Sequence, residues 1–189
     1  MGFLRMLFGK NKLRRPNREQ FFSIIAALVS LAGRTDLRLT GNAGIVFNPV
    51  ESRFFKELDS ELRKLLEISG RSSGTQHEIK DDSHGTRWVV FKDPEFEDLA
   101  TTIHLVGETI TEHGYGDRLI AAVFGLNYEQ KTAYWVYNIK RGTFYPLVLS
   151  GKNDRDNAAE MRLGAIMEQK KIPVERSLEQ WYALWGIPF

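Results

Sequence analysis

Cysteine is absent from this chain of 189 residues. Its absence excludes disulfides, zinc ribbons and thiol catalysis, and it fits a reducing compartment. The chain also lacks an apolar run of the ~18–20 residues that a membrane-crossing helix needs. The longest, Phe21 to Gly33, reads as a core helix. Acids are missing from the first fifteen residues, "MGFLRMLFGKNKLRR", which hold Arg5, Lys10, Lys12, Arg14 and Arg15. Without these five, 21 basic residues face 24 acidic ones, so the net charge of +2 belongs to the tail and the body is mildly acidic. A nucleic-acid partner would call for a basic face on the body, and none is expected.

Signatures of chemistry are scarce as well. No GxSxG, Walker loop, GxGxxG or HExxH occurs, and "GNAG" at Gly41 to Gly44 is too short and lacks the following lysine. The four histidines, His77, His84, His104 and His113, make no paired-ligand signature, but Glu108 and Glu112 follow His104 at i+4 and i+8 on one helix face. They could grip a metal, which makes a small metal-dependent enzyme the alternative reading; a solvated Glu/His ladder is the commoner meaning of such a pattern. Catalytic residues, metal and cofactor are all expected to be absent.

What is present is a body of ordinary globular composition, read as a single α+β domain over 16–189 preceded by the basic, apolar tail 1–15. Asn17 and Gln20 predict a capped helix running to Gly33. "LRLTGNAGIVF" predicts an extended segment with a bulge at its glycines. Asn48, Pro49 and Glu51 predict the start of a second helix, striped by Phe54, Phe55, Leu58, Leu62, Leu65 and Leu66 and ended by Gly70. "QHEIK" and "TRWVVF" read as strands around a turn at Gly85. Asp93 and Pro94 open a helix ending near Gly114, and three strands follow: "RLIAAVFGL", "TAYWVYNI" and "TFYPLVL". Asp156 caps a helix to about Gln169, and Ser177 with Gln180 predicts a short C-terminal helix stopped by Gly186 and Pro188. The short connections favour an antiparallel sheet of five to six strands with helices on one face.

Two stretches stand out as surfaces. Residues 138–150, "NIKRGTFYPLVLS", read as a hairpin with Gly142 at a left-handed position, and Pro146 marks an edge or bulged strand. The aromatics Tyr134, Trp135, Tyr137, Phe144 and Tyr145 alternate so that both sheet faces carry rings; Trp181 and Trp185 are the expected cover of the second. Arg141, Tyr145 and Trp185 form a candidate docking patch. An aromatic edge strand could instead pair with its own copy in a homodimer. In the tail, Phe3, Leu4, Leu7 and Phe8 would line one side of a helix with the five basic residues around them, a composition suited to an anionic membrane surface or a partner. Alternatively the tail packs onto the domain or a second copy, or holds no fixed structure. It is no signal peptide, because Arg5 interrupts the apolar stretch and the basic cluster follows it, so the chain is expected in the cytoplasm, with the tail at the inner membrane face.

Six stretches in combination resemble the PspA-associated protein B family: "MGFL" at the start, Arg15–Pro16, "TGNAGIVFNPVE" at 40–51, "KRGTFYP" at 140–146, "RDNAAE" at 155–160 and "WYALWGIP" near the end. The resemblance runs over nearly the whole length. It implies an accessory to PspA, a coiled-coil protein that coats stressed membranes in the phage-shock response. An HtpX-type membrane protease is implied as a further partner. The order of elements also looks similar to the type III secretion chaperone-like fold, an analogy that again favours protein binding. The expected function is that of a non-enzymatic adaptor that binds a protein partner near the membrane.

Overall fold

An interior strand of the sheet is β1 (Leu37–Phe47), an eleven-residue strand whose last five residues are all buried. Strands buried on both sides read as continuous apolar runs, as "AGIVF" does. The computed structural model describes residues 18–31, 33–50, 53–83 and 85–189, with the backbone alone at 53–55. Ahead of β1 lies α1 (Arg18–Leu31); after it come α2 (Arg53–Ser73), β2 (Gln76–Asp81), β3 (Arg87–Lys92) and α3 (Phe96–Ile110). Then follow β4 (Leu119–Tyr128), β5 (Lys131–Asn138), β6 (Thr143–Gly151), β7 (Asp154–Arg155) and α4 (Asn157–Gln169). The strands form one antiparallel sheet in the order β2-β3-β1-β4-β5-β6-β7. The chain is therefore α+β, with seven strands where five to six were expected; the two-residue β7 is the addition.

Local signals account for much of this. Gly41 takes φ +72° at a register shift between Leu39 and Ala43, which is the expected bulge. The bulge lets the Gly41 carbonyl accept from Asp93 N at 2.9 Å, and a Cβ there would stand 2.9 Å from Asp93 O. Asp93 is itself buried and accepts from Thr75 Oγ1 and Glu95 N, which fixes the entry to α3. Asp156 caps α4 as expected, accepting from Ala159 N at 2.9 Å.

Three helix boundaries differ from expectation. Asn48, Pro49 and Val50 are not helical, because Asn48 N donates to Arg118 O and prolongs the strand. Gly70 does not end α2, which runs three residues on to Ser73. It is a site of close approach instead: a Cβ there would lie 3.0 Å from Thr75 O. The C-terminal segment holds only a single 3₁₀ turn, Leu178–Gln180, and Ser177 makes no side-chain cap.

The reason for that last difference is the sheet. On its inner face, Ile45, Val89, Phe124, Trp135 and Tyr137 pack under α1, α2 and α3. On its outer face, Val46, Trp88, Val123, Tyr134, Val136, Tyr145 and Leu147 need a cover too, and the extended C-terminal segment supplies it through Trp181, Leu184, Ile187 and Phe189. A straight segment lying along a sheet buries more of it than a one-turn helix would. Tyr134 Oη donates to Phe189 O at 3.0 Å, and the Phe189 ring sits over Gly44 and Gly125, where Cβ atoms would lie 2.9 and 3.6 Å from it. Among the described residues no helix is long and apolar enough to cross a membrane.

Candidate partner-binding surfaces

The β5–β6 hairpin is built as its sequence predicts. Arg141 N and Gly142 N donate to Asn138 O, and Gly142 takes φ +71°. The positive φ is what calls for glycine at 142, since the nearest atom to a Cβ there is the movable end of the Gln20 side chain, 2.9 Å away. Of the candidate docking patch, Arg141 is paired with Glu175, Tyr145 is 2% exposed beneath Trp181, and Trp185 is half-buried in the C-terminal segment. Tyr145 thus belongs to the outer-face core and offers no surface of its own. Burial pushes its hydroxyl well above the usual tyrosine range.

Glu175 and Glu160 are the residues that sequence reading missed. Glu175 is buried, accepts from Arg141, Thr143 Oγ1 and Ser177 N, and is pushed down to about 2, chiefly by the Arg141 guanidinium. Glu160 is 2% exposed and holds Arg155 through two hydrogen bonds of 2.9 and 2.8 Å. Its Oε1 also accepts from Val148 N on the outer edge of β6, while Arg155 Nη1 donates to Trp181 O. Phe144 on the same edge exchanges hydrogen bonds with Pro173 O and Glu175 N, and Pro146 has no N–H to offer. The edge that could have paired with a second copy is therefore occupied by this chain's own residues.

A different surface lies on the helices. From Gln20 to Leu31, α1 carries no charge. Phe21, Ile24, Ala27 and Leu31 enter the core, while Phe22, Ile25, Ala26 and Val29 fall at i, i+3, i+4 and i+7 on another side. Phe22 and Ile25 are half-buried, Ala26 is exposed and Val29 is 80% exposed. On α3, Glu97, Thr101, Leu105 and Glu108 form the exposed ridge. His104 joins the two helices: its ring lies 5.9 Å from Phe21 and 5.0 Å from Phe22, and burial lowers its pKa. Arg18 sits 5.7 Å over the Phe22 ring.

Between α1 and α3 lies a narrow cleft of about 30 Å³, walled by Phe21, Ile103 and His104, with Tyr137 from β5 and Ile139 just after it. The Tyr137 hydroxyl has no hydrogen-bond partner among the described residues, and burial pushes its pKa up to about 12 and keeps it protonated. As for the expected metal alternative, no three His, Asp or Glu side chains converge on a metal-sized site among the described residues. His104 and Glu108 are not drawn together with Glu112 into one. The candidate contacts Phe3, Leu4, Arg5, Leu7, Phe8, Lys10, Lys12, Arg14 and Arg15 lie outside the described residues, as does His84.

Two of the six stretches that carry the family resemblance, "RDNAAE" and "WYALWGIP", meet in the Arg155–Glu160–Trp181 arrangement, and "KRGTFYP" adjoins it through Tyr145. A family model described as PspAB, PspA associated protein B, matches residues 1–189. The chain belongs to that family. No curated protein matches it. Among solved structures, a phage SAM lyase in complex with S-methyl-5′-thioadenosine is 11% identical, with 59% of this chain and 94% of that chain covered. Its TM-score of 0.26 carries no argument about fold or activity.

Proposed function

We propose that this PspA-associated protein is a non-enzymatic adaptor of a PspA-type membrane-stress response, binding a protein partner near the cytoplasmic face of the membrane. The observation that carries the reading is the family match over the whole chain, since the family is described by its association with PspA. That description supports a PspA-like coiled-coil protein as the partner; an HtpX-type membrane protease is the second partner to examine. The basic, apolar residues 1–15 would supply the membrane contact: Phe3, Leu4, Leu7 and Phe8 by burial and the five Lys and Arg by attraction to anionic lipid. Each such basic residue contributes about 1 kcal/mol near an anionic surface.

Two measurements test the two halves of this reading. In the first, the tagged full chain is used to capture a purified PspA-type protein; capture above a tag-only control is expected, and none would remove the adaptor role. In the second, the full chain and a version lacking residues 1–15 are floated with neutral and anionic liposomes. Flotation is expected only for the full chain with anionic lipid. Equal flotation of the shortened chain would take the membrane contact away from the tail.

A further inference from the structure

The sequence of α1 is apolar on nearly every side, yet a helix on the surface of a sheet normally keeps a polar side toward water. Its core side is spent on Phe21, Ile24, Ala27 and Leu31. The remaining apolar stripe, Phe22, Ile25, Ala26 and Val29, has no described element over it, and Val29 is the most exposed large apolar side chain described. On the exposed ridge of the neighbouring α3, Leu105 is 43% exposed.

On α3, beside this stripe, the formal charges are of one sign. From Phe96 to Tyr115 the chain carries Glu97, Asp98, Glu108 and Glu112 and not one lysine or arginine. On α1 the single basic residue described, Arg18, lies over the Phe22 ring at the helix start. By contrast, the exposed side of α2 mixes both signs, with Lys56, Arg63 and Lys64 among Glu57, Glu61 and Glu67. The α1–α3 face thus sets an apolar stripe beside an acidic ridge, which α2 does not.

We propose that the α1–α3 face binds an amphipathic helix of a partner protein, one carrying lysine or arginine beside its apolar stripe. The proposal rests on the adaptor reading and names the surface that the adaptor would use. Charge selects among occupants. An anionic membrane would meet Glu97 and Glu108 with like charge. A second copy related by a twofold axis would set the same acids against each other. A basic amphipathic helix satisfies both the apolar stripe and the acidic ridge.

The test uses the full chain and two labelled eighteen-residue helical peptides with leucine at the same positions, one filled out with lysine and the other with glutamate. Fluorescence anisotropy should show the lysine peptide binding at least tenfold more tightly than the glutamate peptide. The double variant Val29→Lys, Leu105→Lys should weaken lysine-peptide binding at least tenfold with an unchanged Tm, because both side chains are substantially exposed. Ile68→Lys, a like change at an exposed position of α2, should leave binding as it was.

Equal binding of both peptides, or equal loss in the Ile68 variant, would overturn the proposal. So would a tenfold gain on deleting residues 1–15, which would make the chain's own segment the occupant. A dimer that the Val29/Leu105 variant turns into a monomer would assign the face to a second copy. The adaptor reading fails separately. A chain that takes the lysine peptide through Val29 and Leu105 but captures no PspA-type protein keeps the face and loses the role. Undiminished capture of a PspA-type protein by the double variant keeps the role and loses the face.

Discussion

At Glu175 a single carboxylate ties the turn of the β5–β6 hairpin to the chain that follows α4. It accepts from Arg141, Thr143 and Ser177, and is held near 2 rather than at the ordinary 4.5. A depressed folded-state pKa means that the contribution to stability is whole above about pH 4.5 and is lost as pH falls through about 2. Glu175→Gln should therefore melt below the natural chain at pH 6, with the gap closing as the pH approaches 2; a gap independent of pH would mean that the charge is not what matters. Glu160 should be costlier. Its removal in Glu160→Ala leaves the Arg155 guanidinium without its carboxylate and the buried Val148 N–H without an acceptor. The loss of a buried pair's partner costs about 3–5 kcal/mol, measurable as a shift in urea midpoint. Neither glutamate announces itself in the sequence, because each acts on backbone or side chains that only the tertiary fold brings near.

Among the elements, those governed by their own residues were legible, and those governed by contact were not. The Asp156 cap and the Gly142 turn obey short-range rules, and both form as their sequences predict. The alternation in β5 likewise places Trp135 and Tyr137 on the helix side and Tyr134 and Val136 on the other. The segment after Ser177 carries an equally good local helix signal, yet the outer sheet face draws it out straight. The α1–α3 face was illegible for a related reason: a helical stripe reads as core until the fold shows that one side is left uncovered. The straight segment makes its own prediction. Gly44→Val would drive a side chain into the Phe189 ring and crowd Val89 O at 3.2 Å. Overpacking of this sort costs about 1–3 kcal/mol. The variant should therefore lose stability and bind the dye ANS as Phe189 lifts, while the Asn138–Thr143 pairing on the far side of the sheet keeps its slow hydrogen exchange.

For the molecule as a whole, the order of strands in space has a consequence for the order of events in time. Strands β4 to β7 are neighbours in sequence and in the sheet, joined by short turns, so this half can zip up hairpin by hairpin. Strand β1 cannot. It is made early, but its partner β3 arrives only after α2 and β2, and its partner β4 only after α3. Loop closure over such a distance carries an entropy cost that local hairpins avoid. The apolar run of β1 can meet β3 once Arg87 to Lys92 have been made, but on a growing chain its other side stays unpaired until Leu119 to Tyr128 have emerged. Of the strands, β1 is the one that spends longest waiting for its neighbours, and in that interval its apolar run is the part of the chain most in need of a chaperone.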